Sequence, residues 1–241
     1  MEERLTEIRR EEALQYMGIR GTPDGLFARD LERCEETLRD AARPRTVWKL
    51  FDLEADGTLR GTSFRPMGKD IRRHLSGAGQ VILMAVTLGT ETEVLIRRAQ
   101  SVCMPDAMML DALASAAVES VCDGLCRELA RELAPRRLTS RFSPGYGDFP
   151  LEQQSELCAV LDVTRRLGIT LTPGGLMIPQ KSVTAVIGVL EESAEPGIRT
   201  ADPDGSAESR NTGSGCRSCP SAGSCPFAKT DGDCRKDGTP G

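Results

Sequence analysis

Imidazole and aromatic side chains are scarce in this sequence of 241 residues, which contains one histidine, one tryptophan and two tyrosines. A Ser-His-Asp triad or a Cys-His pair requires a histidine with a positioned partner, and the sequence identifies no such partner for His74. This scarcity argues against nucleophilic catalysis of the hydrolase type. Because aromatic residues make up only 4% of the chain, the core has to be built from Leu, Val, Ile, Ala and Met.

A basic excess and long apolar runs are also missing. The formal net charge of −5 argues against general nucleic-acid binding, because phosphate binding needs a basic surface. The opening residues, MEERLTEIRREE, lack the apolar segment of a signal peptide. The longest apolar run, 81-VILMAV-86, is far shorter than the ~20 residues of a membrane helix. We therefore expect a soluble cytoplasmic protein, in which nine cysteines argue against a disulfide framework and leave metal or redox use open.

The pattern along the chain predicts an α+β fold. Residues 46–62 resemble a β-hairpin around Asp-Gly, and 81–89 is typical of a strand buried on both faces. Residues 91–134 and 151–167 are helical in pattern, and 169–190 indicates strands interrupted by proline and glycine. Because strands and helices do not alternate strictly, we expect a mixed or antiparallel sheet packed against long helices.

The composition changes after residue 193, which predicts a core domain over 1–193 and a flexible tail over 194–241. The tail is rich in Gly, Ser and Pro and cannot bury enough apolar surface to fold alone. It holds four of the nine cysteines, and four thiolates at short spacing suit a metal site. Proline after two of them favours an iron–sulfur cluster over zinc, although loosely redox-active thiols are the alternative. The predicted ligands are Cys216, Cys219, Cys225 and Cys234.

The lone histidine lies in 74-HLSG-77, which matches half of the cobalamin-binding motif Asp-x-His-x-x-Gly. Arg72 occupies the position of the aspartate, and the glycine-rich segment that should follow is missing. We therefore interpret His74 as a histidine at the surface end of a helix. The chain alone is not expected to bind cobalamin tightly.

The stretch 141-RFSPGYGDFPLEQQ-154 predicts a shaped loop, because Gly, Pro and Asp favour defined turns. Arg141 offers a planar fork for a carboxylate or phosphate, and Tyr146 offers a ring face with a polar tip. Gly145 permits close approach of the backbone to a ligand. These residues suit a binding site for a small zwitterionic or nucleoside-containing ligand. The alternative is a structural loop in which Arg141 pairs with Asp148.

This stretch resembles the S-adenosylmethionine loop in the reactivation domain of cobalamin-dependent methionine synthase. The shared pattern is Arg-x-x-Pro-Gly-Tyr-x-x-x-Pro, which begins at Arg141 and ends at Pro150. The similarity continues into 167-LGITLTPGGLMIPQKSVTAVIG-188 and extends upstream to about residue 80. Standalone, shorter forms of this domain with a cysteine-bearing C-terminus are the most similar.

The resemblance implies a set of ligand contacts. Arg141 would bind the methionine carboxylate of S-adenosylmethionine, and the backbone at Ser143 and Gly145 would contact the adenosine part. Tyr146 would face the corrinoid of a partner. An acidic residue of the long helix contributes to binding in that family, and the matching positions here are Ser115 and, one turn later, Glu119.

The function implied is that of an accessory protein for a corrinoid-dependent methyltransferase, such as a methionine synthase that lacks its own reactivation domain. Such a protein would bind S-adenosylmethionine, dock on the cobalamin-binding domain of its partner and reductively remethylate the cobalamin. A cluster in the tail would relay the electron. The alternative is a non-enzymatic module that binds or scaffolds a corrinoid protein and whose tail holds structural zinc.

Overall fold

A computed structural model of the protein describes Leu5, residues 7–21 and residues 25–191. Within these residues the elements follow in the order α1 (Arg10–Tyr16), α2 (Gly25–Ala41), β1 (Arg45–Asp52), α3 (Lys69–His74), β2 (Ala78–Thr87), α4 (Thr90–Val102), α5 (Met104–Glu132), β3 (Arg137–Leu138), a 3-10 turn (Leu151–Gln153), α6 (Gln154–Leu161), α7 (Val163–Leu167), β4 (Thr170–Leu171), β5 (Met177–Ile178) and β6 (Ser182–Leu190). None of the described helices is long and apolar enough to cross a membrane.

The main sheet is antiparallel throughout and has the spatial order β1-β2-β6-β3. Strands β4 and β5 form a separate two-stranded ribbon. The expected α+β class with an antiparallel sheet and long helices is therefore confirmed.

Strand β2 runs through the centre of the molecule, and its side chains alternate between two apolar clusters. Ile82, Met84 and Val86 pack into a cluster with α1, α2, α4 and α5. Leu83 and Ala85 pack on the opposite face with α3, α6 and α7. Helices therefore cover both faces of the sheet, and the prediction of a strand buried on both faces is confirmed.

Two predicted elements differ from the structure. The hairpin predicted over 46–62 is limited to its tip: β1 pairs with β2, and an isolated antiparallel bridge between Leu53 and Leu59 joins the two arms of the Asp56–Gly57 turn. Strand β1 can pair along its whole length with the apolar strand β2, whereas the residues after the turn are polar and form a single bridge. The helical region 91–134 is two helices, α4 and α5, which meet at the extended residue Cys103.

Candidate functional site

The segment after β3 continues along the edge of the main sheet. Thr139 donates its N–H to the carbonyl of Gly188 at 2.9 Å, and its hydroxyl accepts the N–H of Gly188 at 2.8 Å. Phe142 donates its N–H to the carbonyl of Val186 at 3.0 Å and accepts the N–H of Val186 at 2.9 Å. The backbone is thus fixed on both sides of Arg141.

The middle of the loop closes into a tight turn. Tyr146 donates its N–H to the carbonyl of Ser143 at 3.1 Å, and Gly145 donates to the carbonyl of Phe149 at 2.8 Å. Gly145 has a φ of +88°, in the left-handed region. A Cβ placed there would lie 3.6 Å from the side chain of Leu151, which is an ordinary contact. Glycine is required here by backbone conformation and not by lack of space.

Asp148 lies at the N-terminus of α3. Its carboxylate accepts the N–H of Asp70 at 2.9 Å and the N–H of Lys69 at 2.6 Å. These backbone donors hold the pKa of Asp148 below its usual range. The alternative in which Arg141 pairs with Asp148 is wrong, because the unpaired N–H groups of the first turn of α3 take up this carboxylate.

Arg141 is directed at α5, where it meets two carboxylates. Its Nη2 donates to Oε2 of Glu119 at 2.8 Å, and its Nη1 donates to Oδ1 of Asp123 at 2.5 Å. The other oxygen of Asp123 accepts a hydrogen bond from Nη2 of Arg9, the residue before α1. The side chain of Arg141 is 23% exposed. We call these four residues, Arg9, Glu119, Asp123 and Arg141, the Arg141 cluster.

The charges of the cluster stabilise one another. Burial alone would raise the pKa of Asp123, but the guanidinium groups of Arg141 and Arg9 outweigh it and hold this pKa below its usual range. Burial alone would lower the pKa of Arg141, and the acidic groups around it outweigh burial and raise that pKa. Arg141 and Asp123 are therefore both charged near neutral pH.

Two cysteines of α5 interact with Arg141. Sγ of Cys126 is 3.8 Å from Nη1 of Arg141. Burial raises the pKa of Cys122 and of Cys126. Both are neutral thiols at neutral pH, so they contribute packing and not a nucleophile.

Ser115 and Glu119 lie one turn apart on α5, but their contacts differ. The hydroxyl of Ser115 accepts a hydrogen bond from Nζ of Lys181 at 2.8 Å, and the same ammonium pairs with Asp111 at 2.8 Å. Of the two positions suggested by the resemblance, Glu119 is the one that hydrogen-bonds Arg141.

Both tyrosines of the chain lie near this site. Tyr146 is 58% exposed, and its ring makes an edge contact with Phe142 at a centroid distance of 6.2 Å. Tyr16 is the last residue of α1 and is 55% exposed. Burial of its phenol and the nearby carboxylate of Glu119 raise the pKa of Tyr16, and Tyr146 adds to this effect. The charges of Glu119 and Tyr146 therefore both act on the phenol of Tyr16.

Three members of the site were not found from the sequence: Arg9, Tyr16 and Asp123. Asp123 follows Glu119 by four residues, so helical spacing places both carboxylates on one face of α5 and could have identified it. Arg9 directly precedes α1 and Tyr16 ends it, so both lie more than a hundred residues earlier in the chain. No local pattern connects them to the loop, since only the packing of α1 along α5 brings them there.

His74 packs against the start of the loop. It is the last residue of α3, and its Nε2 lies 2.7 Å from the carbonyl oxygen of Ser140 and 2.9 Å from the hydroxyl of Thr139. Its ring packs against Phe142 at a centroid distance of 5.1 Å, and burial lowers the pKa of His74. The predicted helix-end position is confirmed, but the side chain is half-buried and not at the surface.

Metal ligands were predicted only in the tail. Within the described part of the chain, no group of three or more His, Cys, Asp or Glu side chains could hold a metal ion. The predicted ligands lie outside the described residues: Cys216, Cys219, Cys225 and Cys234.

Comparison with known proteins gives a likeness of fold. The sequence matches no protein-family model and no curated protein. The structure aligns with a crystal structure of the MetH reactivation domain bound to AdoHcy, with a TM-score of 0.52 and 18% identity. The alignment covers 75% of this chain and 73% of the other. The resemblance inferred from the sequence is thus confirmed at the level of the fold, and this chain folds like the MetH reactivation domain.

Proposed function

We propose that this chain binds S-adenosylmethionine at the Arg141 cluster and takes part in the reductive remethylation of cobalamin held by a partner protein. One observation supports this most strongly. An anchored loop directs Arg141 at Glu119 of the long helix, in a fold that resembles a domain solved with AdoHcy. That ligand carries the same adenosyl and amino-acid groups as S-adenosylmethionine.

Arg141 would bind the ligand carboxylate, because its terminal nitrogens form a fork that matches the two carboxylate oxygens. Glu119 accepts a hydrogen bond from the guanidinium and would face the ammonium group of the ligand's amino-acid moiety. The turn around Ser143 and Gly145 would contact the adenosine part. Tyr146, exposed at the tip of the loop, would face the corrinoid of the partner.

Methyl transfer from S-adenosylmethionine would need these side chains to position the ligand and not to transfer protons. The reduced corrinoid of the partner would supply the methyl acceptor, and Arg141 and Glu119 would hold S-adenosylmethionine so that its sulfonium methyl group faces that acceptor. The leaving thioether is neutral, so no general acid or base is needed. The neutral thiols of Cys122 and Cys126 agree with a site that positions a ligand and carries out no proton transfer.

Calorimetric titration with S-adenosylmethionine tests the proposal. We expect one ligand per chain, with stronger binding when a cob(II)alamin-loaded methyltransferase domain is present. Absence of binding heat in both conditions, with folded protein, would refute the proposed function. If this protein binds the corrinoid domain but not S-adenosylmethionine, the scaffold alternative is favoured.

We also propose that the chain divides into a domain over 1–193 and a metal-binding tail over 194–241. The support is the spacing of the cysteines in a segment rich in Gly, Ser and Pro. An iron–sulfur cluster would supply the electron for cobalamin reduction, whereas zinc would be structural. A brown, reducible protein after anaerobic purification supports the cluster, and a colourless protein with one equivalent of zinc supports the structural site.

A further inference from the structure

We propose that Asp123 is an internal stand-in for the ligand carboxylate. It occupies Arg141 in the free protein and yields that position when S-adenosylmethionine binds. The inference rests on the proposed function and assigns to Asp123, and through it to Arg9, control over the affinity of the site.

The guanidinium of Arg141 contacts two carboxylates of α5. Asp123 accepts from Nη1 of Arg141 at 2.5 Å, and Glu119 accepts from Nη2 at 2.8 Å. Both terminal nitrogens therefore already hold a protein carboxylate. A ligand carboxylate binds a guanidinium through such nitrogens, so it would have to share them with two anions or replace one. Replacement removes the repulsion between neighbouring carboxylates.

The partners of the two carboxylates determine which one moves. Asp123 is shared by two arginines, because its second oxygen accepts from Arg9. When Asp123 leaves Arg141 it keeps a cationic partner, Arg9. The ion pair of Glu119 in this cluster is the one with Arg141. Displacement of Asp123 therefore costs less than displacement of Glu119.

The exchange predicts opposite effects for two substitutions. Asp123→Asn keeps the shape of the side chain but removes the competing charge, so S-adenosylmethionine should bind about three- to fivefold more tightly, the size of a partly exposed ion pair. Arg9→Gln removes the second partner of Asp123, so Asp123 should hold Arg141 more firmly and binding should weaken by about the same factor. If Arg9 acts only through Asp123, the double variant should bind like Asp123→Asn.

The experiment compares two ligands. S-adenosylmethionine carries the carboxylate, whereas 5′-methylthioadenosine shares the adenosyl group and a sulfur but lacks the amino-acid moiety. Only the first should respond to the variants. Asp106→Asn is the matched control: Asp106 lies on the same helix, pairs with Arg33 through both oxygens and is 21% exposed. It is about 25 Å along the helix from Asp123 and should change neither affinity.

The outcomes separate the inference from the proposed function. Tighter binding of S-adenosylmethionine to Asp123→Asn, with unchanged binding of 5′-methylthioadenosine, supports the stand-in. Equal or weaker binding to this variant, with a wild type that binds, overturns the stand-in and leaves the proposed function intact. If neither the wild type nor either variant binds S-adenosylmethionine, the stand-in and the proposed function are both overturned. If Asp123→Asn fails to fold, unchanged or tighter binding to folded Arg9→Gln overturns the inference.

Discussion

Gly145 combines a φ of +88° with surroundings in which a Cβ would make only an ordinary contact. Gly145→Ala should therefore lower the free energy of unfolding by about 1–2 kcal/mol through backbone strain. Urea denaturation of the full chain measures this.

Gly124→Ala provides a control of opposite sign. Gly124 lies within α5, and a Cβ there would meet no atom within 4 Å beyond its chain neighbours and the adjacent helix backbone, so alanine should stabilise that helix by up to about 1 kcal/mol. Equal stability of Gly145→Ala and wild type would show that the loop relaxes to a different turn.

The residues of the loop illustrate what a sequence can predict at this scale. Glycine and proline indicated a shaped turn, and Arg141 could be named as its candidate ligand-binding group. Its partners could not be chosen, because Asp148 is nearby in sequence while Glu119 and Asp123 are nearby only in space. Backbone donors of α3 compete for Asp148, and that competition is decided by tertiary packing.

At the scale of elements, the contact between the loop and α3 predicts a pH dependence. The pKa of Asp148 is lowered by the N–H groups of Asp70 and Lys69, so this contact is fully formed above the ordinary carboxyl pKa of about 3.9. It should be lost as the pH falls through the lower pKa of the folded state. The amide proton shifts of Lys69 and Asp70 in NMR spectra should titrate with a midpoint below about 3.9.

Asp148→Ala should abolish this titration at Lys69 and Asp70. The amide of Thr58 serves as an internal control, because it donates to Asp56 at 2.9 Å in a separate turn and should titrate alike in both proteins. Midpoints at or above about 3.9 for Lys69 and Asp70 would contradict the contact.

Elements were predicted best where packing on both sides leaves a clear pattern. The run 81-VILMAV-86 identified the central strand, since all six side chains are buried. The pairing of β1 with β2 was missed, because an Asp-Gly turn signals a hairpin locally while the choice of partner depends on the whole sheet. The short strand β3 was not predicted either, since it has only two residues.

For the whole molecule, the tail is predicted to depend on metal for its order. Cys216→Ser and Cys219→Ser should each lose the bound metal while residues 1–193 stay folded, because thiolate ligation would organise the tail alone. Elemental analysis of anaerobically purified protein, combined with thermal denaturation, measures both effects. Cys103→Ser, a change in the folded part of the chain at the junction of α4 and α5, should keep the metal. Metal content that is equal in all variants would contradict a tail site.

The fold could be predicted from the sequence more completely than the site. Strand and helix patterns and the loop resemblance gave the α+β class, which the comparison supports at 18% identity. The Arg141 cluster joins the residue before α1, two residues of α5 and the loop, so its complete membership depends on how these three segments pack. A pattern confined to one segment does not contain that information.

The most direct test of the account is calorimetric titration of S-adenosylmethionine into wild type, Arg141→Ala, Arg141→Lys and Arg33→Ala. Arg141→Ala should lose a charge-assisted pair worth about 1.5–3 kcal/mol, or about ten- to a hundredfold in affinity. Arg141→Lys should recover part of it, since an ammonium lacks the planar fork. Arg33 also pairs with a carboxylate of α5, so Arg33→Ala controls for loss of an ion pair on that helix and should bind normally. Equal affinity of folded wild type and folded Arg141→Ala would contradict the account.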